Sequence, residues 1–100
     1  NLVWLQRMDG APPMSAHIAP EKARTCALAR KPSKAIEDAV NSGRLAALRM
    51  PVLPLEGGEM IVVNGECLGG VGVSVVKAGE DAIVARAGIA GIGAGWELPA

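Results

Sequence analysis

Three groups of residues in this 100-residue chain have the types and spacing for chemistry. Arg7 and Asp9 flank Met8, with Gly10 behind them, at the end of an apolar run. A guanidinium there could clamp a carboxylate through two parallel N–H donors while Asp9 orients it or removes a proton. The plainer alternative is an Arg7–Asp9 ion pair beside an Asp9-Gly10 turn. His17 is the single histidine. Near Met14, at the start of a helical stretch, it is a candidate axial haem ligand or general base, or else a solvent-facing first-turn residue. Met8, Met14 and Met60 are soft apolar neighbours for such a ligand, or core filler. Glu56 before Gly57-Gly58 could present a carboxylate from a flexible loop, although glycine pairs also mark turns.

Gly69-Gly70-Val71-Gly72-Val73-Ser74 resembles a phosphate-binding loop but fails on spacing. It lacks the third glycine of GxGxxG and the Gly-Lys-Ser/Thr of a Walker loop, and its strand belongs to a hairpin, not a parallel βαβ unit. Ser74 has no triad partners at recognisable positions, which leaves serine hydrolase chemistry without support.

The elements that must hold these groups follow from periodicity. Asn64-Gly65 between two apolar runs is the strongest short-range hairpin signal, since a type I′ turn needs positive φ at both central positions. Alternation along the return strand puts Leu68, Gly70, Gly72 and Ser74 on one face and Cys67, Gly69, Val71 and Val73 on the other. Glycines cost strand stability, roughly 0.5–1 kcal/mol each relative to Ala. The bare face is therefore expected to admit a helix, another backbone or a ligand. Residues 2–8 alternate loosely as a strand, ended by Asp9-Gly10-Ala11-Pro12-Pro13. Over residues 15–30, Ile18, Ala19, Ala23, Cys26 and Ala27 are spaced for one helical face. Ser15 is a candidate cap there, and Pro20 fits best in the first turn. After Lys31-Pro32, Ser33 caps a second helix to Asn41 or Ser42, with Ala35, Ile36, Ala39 and Val40 inward and Gly43 as its stop. Residues 44–55, with Pro51 and Pro54, read as a surface connection. A third helix carries Glu80-Asp81 in its first turn and continues through Ala82, Ile83, Arg86, Ala87 and Ala90, thinned by Gly88, Gly91, Gly93 and Gly95.

Composition narrows the function classes. A chain of this length forms one domain and buries about two thirds of its unfolded surface. Ten basic residues balance ten acidic ones, and the aromatics are two Trp with no Phe or Tyr. Neither bulk charge nor a stacking surface favours nucleic acid or an anionic membrane. Cys26 and Cys67 form no CxxC or Cys/His cluster and read as free, half-buried thiols. No run reaches 18 apolar residues and no basic segment precedes an apolar stretch, so a cytoplasmic location is the default expectation.

Arg7-Met8-Asp9-Gly10-Ala11, Lys22-Ala23 with Thr25, Gly43-Arg44, Glu56-Gly57-Gly58, Ile61-Val62-Val63, Gly65-Glu66, Gly69, Gly72-Val73-Ser74 and Asp81 together resemble the GlcG/HbpS family. That family is also called haem-degrading domain or PduO C-terminal-like, and the resemblance runs from about residue 3 to residue 92. It implies an α+β, profilin-like three-layer α/β/α fold with an antiparallel five-stranded sheet, assembled as a homo-oligomer. Family members carry about one further helix and one strand before the position of Asn1. The expectation is a single, N-terminally incomplete domain, whose missing piece was removed or is supplied by a separate N-terminal peptide completing the fold. Three departures stand out: Ser74-Val75-Val76 where many members have Ser-Gly-Gly, Met60 where many have Pro, and His17 at a position more often acidic or aliphatic.

The leading reading is a small-molecule-binding domain with its ligand, haem being the candidate cofactor, between the bare hairpin face and residues 7–17. Arg7, Met8, Gly10, Gly70, Gly72 and Ser74 are the ligand-binding candidates, Arg7 as anion anchor, and His17 is the optional metal ligand. The rival is a cofactor-independent enzyme on the same scaffold, acting on a small carboxylate or oxygenated metabolite, with Asp9, His17 and Glu56 as acid/base residues. A third reading is a structural subunit of a two-chain or oligomeric assembly.

Overall fold

The computed structural model describes residues 1–75 and 77–100, with Ala78 placed by its backbone. The element order is α1 (Ser15–Ala29), α2 (Ser33–Asn41), a 3₁₀ turn (Leu45–Arg49), β1 (Gly58–Val63), β2 (Glu66–Gly72) and α3 (Ala78–Gly91). The chain has an α+β fold. Asn64 and Gly65 both take positive φ, 52° and 78°, and turn β1 back into β2 as an antiparallel hairpin.

Sheet faces follow from which side chains meet which helix. A Cβ at Gly58, Gly70 or Gly72 would run into the carbonyls of Lys22, Ala23 and Ala19 respectively, so α1 lies directly on that face. Glu59 points the other way and pairs with Arg86 of α3. The order is therefore α1, sheet, α3, and the bare face is filled by a helix, not by a ligand. A bulge between Ile61 and Val62 changes the expected alternation: Val62 pairs with Cys67, which joins Cys26, Met60 and Leu98 in the core, while Leu68 is 65% exposed. A bulge adds one residue to one strand, and every side chain beyond it changes face.

Other boundaries shift for local reasons. Met14, not Ser15, is the N-cap of α1, and Pro20 lies inside the helix beyond its first turn. Arg30 closes it in the left-handed region at φ 54°. Pro32 is the N-cap of α2; the Ser33 hydroxyl instead accepts the Gly58 N–H at 2.8 Å, tying α2 to β1. Gly43 follows α2 at φ +103°. The connection over residues 44–55 is held down by Arg24, which donates to the Pro51 carbonyl at 2.7 Å, and by the Leu53 N–H on the Thr25 hydroxyl at 2.8 Å.

One reading of an inward face is corrected, and a face left open is settled. In α1, Cys26 is buried as expected, but Lys22 and Thr25 are buried with it while Ile18, Ala19, Ala23 and Ala27 are half-buried, because a buried ion pair and polar ties to the connection displace the alanine stripe from the centre. In α3, Ala82, Ala85 and Ile89 are buried while Ile83 is 65% exposed. An apolar helix gives little phase to its pattern, so the sequence chose no inward face for α3.

Residues 2–8 are the largest departure. They join no ladder, and the sheet has two strands among the described residues, not five. Val3 and Trp4 are 95% and 74% exposed. A strand needs a hydrogen-bonding neighbour, and β2 does not reach this segment.

Candidate functional site

A cleft of about 1170 Å³ opens between residues 1–8 and residues 68–75. Its helical wall is the stripe Ala16, Ala19, Ala23 and Ala27 of α1, with Val84 of α3 contributing from the other layer. Small side chains recur there at helical spacing, so the wall is shallow and apolar.

Of the residues singled out in the sequence, Arg7, Met8, Gly70, Gly72 and Ser74 line this cleft. Gly10, Asp9, His17 and Glu56 are not among its lining residues. Arg7 donates from Nη2 to the Ala11 carbonyl at 2.9 Å, and no ion pair joins it to Asp9 among the described residues. Asp9 and Gly10 form an exposed turn. Glu56 engages Glu37 of α2 through its backbone N–H at 3.4 Å. Among the described residues no hydrogen bond links Asp9, His17 and Glu56, so the acid/base trio is not assembled.

Successive turns fold residues 8–17 onto themselves. Ala11 N–H donates to Met8, Ser15 to Pro12, Ala16 to Pro13 and His17 to Met14, at 3.1, 2.9, 3.2 and 3.0 Å. Met14 and His17 are therefore one turn apart on an exposed side of the helix start. His17 precedes Glu21 and Arg24 on one helical stripe, and both of these line the cleft.

Two buried polar groups had no assigned role in the sequence. Lys22 crosses from α1, donating to Asp81 Oδ2 at 3.2 Å and to the Val73 carbonyl at 3.0 Å. Asp81 Oδ1 accepts the Val75 N–H at 3.0 Å, so this pair fixes the residues that end the cleft wall. Both positions stood within the family-like pattern, the available signal. Glu59 accepts from Arg86 Nε at 3.2 Å, and its Oε2 is buried without a partner among the described residues. Burial raises the Glu59 carboxyl above its ordinary range, against the pull of Arg86. The Cys26 thiol is pushed up to about 12, first by burial and then by Cys67 and Glu59, and is unsuited to nucleophilic work. No group of three or more His, Cys, Asp or Glu side chains forms a metal cluster among the described residues. No helix there is long and apolar enough to cross a membrane.

The family model described as haem degrading protein HbpS-like matches residues 1–90. The chain belongs to the HbpS-like family. Protein GlcG of Escherichia coli K12 is 49% identical over 75 residues, covering 74% of this chain and 56% of GlcG. GlcG of strain CFT073 matches equally. The chain spans little more than half the length of these curated relatives. Among solved structures, the PduOC haem complex has a TM-score of 0.80 at 28% identity, covering 92% of this chain and 70% of that one. Klebsiella pneumoniae ORFY gives 0.80 at 27% identity over 88% and 64% of the two chains. HbpS gives 0.76 at 30% over 87% and 62%. The family match thus spans both the hairpin and the stretch that carries Arg7 and His17.

Proposed function

We propose that this HbpS-like domain binds haem at the mouth of the cleft, between its lining residues Arg7 and Met8 and the adjoining start of α1 that carries His17. The observation that carries the reading is the clustering at the start of α1: exposed Met14 and His17 one helical turn apart, joined by hydrogen-bonded turns to Met8 and Arg7. The donor set suits the group. Imidazole and thioether are haem axial ligands, and a bound haem would supply the redox and ligand-binding chemistry of its iron. Haem also presents an apolar plane and carboxylates, and the cleft offers the alanine stripe beside Arg7 and Arg24. The similarity to PduOC, whose solved structure is a haem complex, supports the same reading.

In this account Arg7 would hold a haem carboxylate and His17 the iron, with Met8 an apolar neighbour in the cleft lining. Titration with hemin, followed by the Soret band, tests it. His17→Ala is expected to shift the band and weaken binding, while Arg7→Ala weakens binding without moving the band. A wild-type protein whose Soret spectrum stays that of free hemin would refute the proposal. An unchanged band in His17→Ala would remove the histidine from the role.

A further inference from the structure

We infer that Cys26 and Cys67 form an oxidative modification site, closing to a disulfide within the chain that ties α1 to β2 when a hydroperoxide reaches Cys67. Both thiols are free in the structure. They lie on the same side of the sheet. Met60 pairs with Gly70 and Val62 with Cys67, two steps apart on β1, and the bulge between Ile61 and Val62 brings Cys67 onto the face that Gly70 presents to α1. Cys26 comes down on that face from the helix, since a Cβ at Gly70 would run into its Sγ. Cys26, Met60 and Val62 make one buried cluster, and Cys67 packs against it. A disulfide needs Cα atoms about 4.4–6.8 Å apart. Side chains on both layers ordinarily hold a helix and a sheet farther apart than that. Here Gly70 and Gly72 let the α1 backbone settle onto β2, so the spacer that would keep a helical and a strand cysteine apart is missing.

The two thiols are unequal, and the inequality sets the order of the steps. Cys67 is half-buried, its Sγ donating to the Gly69 carbonyl at 3.5 Å. Cys26 is fully buried, its Sγ held by the Ala23 and Glu59 carbonyls at 3.1 and 3.2 Å. Burial, and after it Cys67, pushes the Cys26 thiol up to about 12, which makes it a poor first target for a reagent arriving from solvent. Cys67 therefore takes the oxidant. Its sulfur attacks the hydroperoxide, the O–O bond breaks, and the products are a Cys67 sulfenic acid and an alcohol, or water where the oxidant is hydrogen peroxide. The Cys26 sulfur then attacks the Cys67 sulfur. The S–S bond forms, the S–O bond breaks, and the hydroxyl leaves with the Cys26 proton as water. The two thiols together lose two electrons and the hydroperoxide gains two. Contact replaces thiolate abundance in this second step, because the sulfenic sulfur is already held against Cys26.

The probe is hydrogen peroxide, added to the reduced protein without haem while far-ultraviolet circular dichroism follows the fold. Samples quenched with iodoacetamide and mapped by mass spectrometry without reductant should show the Cys26 and Cys67 peptides joined, two hydrogens lighter than their sum, at the intact mass of a single chain. Dithiothreitol should restore both thiols. Cys67→Ser should leave Cys26 reduced over the same time. Cys26→Ala should accumulate Cys67 sulfenic acid, trapped by dimedone, about tenfold or more above wild type, because the thiol that consumes it is gone. The wild-type map needs no substitution and stands by itself if a variant fails to fold. Cys67 sulfinic acid beside a reduced Cys26, a Cys67–Cys67 link between two chains, or a disulfide that appears after the circular dichroism signal is lost would each overturn the proposal. So would two thiols still reduced when free cysteine in the same solution has been consumed.

Discussion

Replacing Gly72 by alanine tests whether the glycines of β2 exist for close packing of α1. The added Cβ would run into the Ala19 carbonyl and lie 2.7 Å from the Ala23 nitrogen, both backbone atoms of a helix that cannot yield by rotating a side chain. Overpacking a tight site costs about 1–3 kcal/mol, and backbone obstacles put Gly72 toward the upper end. Against this, removing a glycine from the unfolded ensemble recovers about 0.4–1 kcal/mol. The net expectation is a loss of about 2 kcal/mol, taking values near the upper part of the first range less the second. At about 4–8 °C per kcal/mol for a domain of this size, Tm should fall by roughly 8–16 °C. Gly69→Ala is the matched control, since nothing lies within 4 Å of its Cβ position and its φ is ordinary. It should change stability by no more than about 0.5 kcal/mol, if anything upward. Thermal and urea melts followed by far-ultraviolet circular dichroism read both. Equal stability of the two variants would refute the reasoning.

Lys22→Met removes the cation beside buried Asp81 and should cost about 3–5 kcal/mol, as losing one partner of a buried pair does; urea melts check it, and a loss under about 1 kcal/mol would contradict it. Glu59 has a folded pKa above its unfolded value, so its contribution is fullest at acid pH and is lost as pH rises from the unfolded carboxylate range through the folded pKa. The Tm of wild type relative to Glu59→Gln should therefore fall as pH rises above the ordinary carboxylate range, and a rise would reverse the sign assigned here. Cys26, fully buried and with its thiol pushed up to about 12, should resist iodoacetamide at mild alkaline pH while Cys67 reacts; peptide mapping before and after denaturation reads the order.

The hairpin was legible because Asn64-Gly65 has one good conformation, and the glycine row correctly announced close approach. That α1 rather than a ligand fills the bare face was not legible, since absence of a side chain says that something comes near without saying what. The bulge at Ile61/Val62 escaped for a related reason: an extra residue leaves no mark on a glycine-rich strand, and Cys67 and Leu68 exchanged sides. Residues 2–8 read as a strand from their own pattern, but a strand also needs a neighbour, which local sequence cannot supply. In α3 the apolar residues run all round the helix, so pattern could not choose between the Ile83 and Ile89 sides. At the candidate site, Arg7, Met8, Gly70, Gly72 and Ser74 line one cleft, while Asp9 and Glu56 lie elsewhere because their turns are committed to other contacts. Lys22 and Asp81 were visible in the family-like pattern, yet 59 residues of separation hid their pairing.

Haem binding is the central claim, and native mass spectrometry of the protein mixed with hemin tests it most directly, with Arg7→Ala and His17→Ala measured alongside. The account predicts one haem retained per wild-type chain and less in each variant. Wild-type protein that remains free of haem, or variants that retain it as fully as wild type, would contradict it.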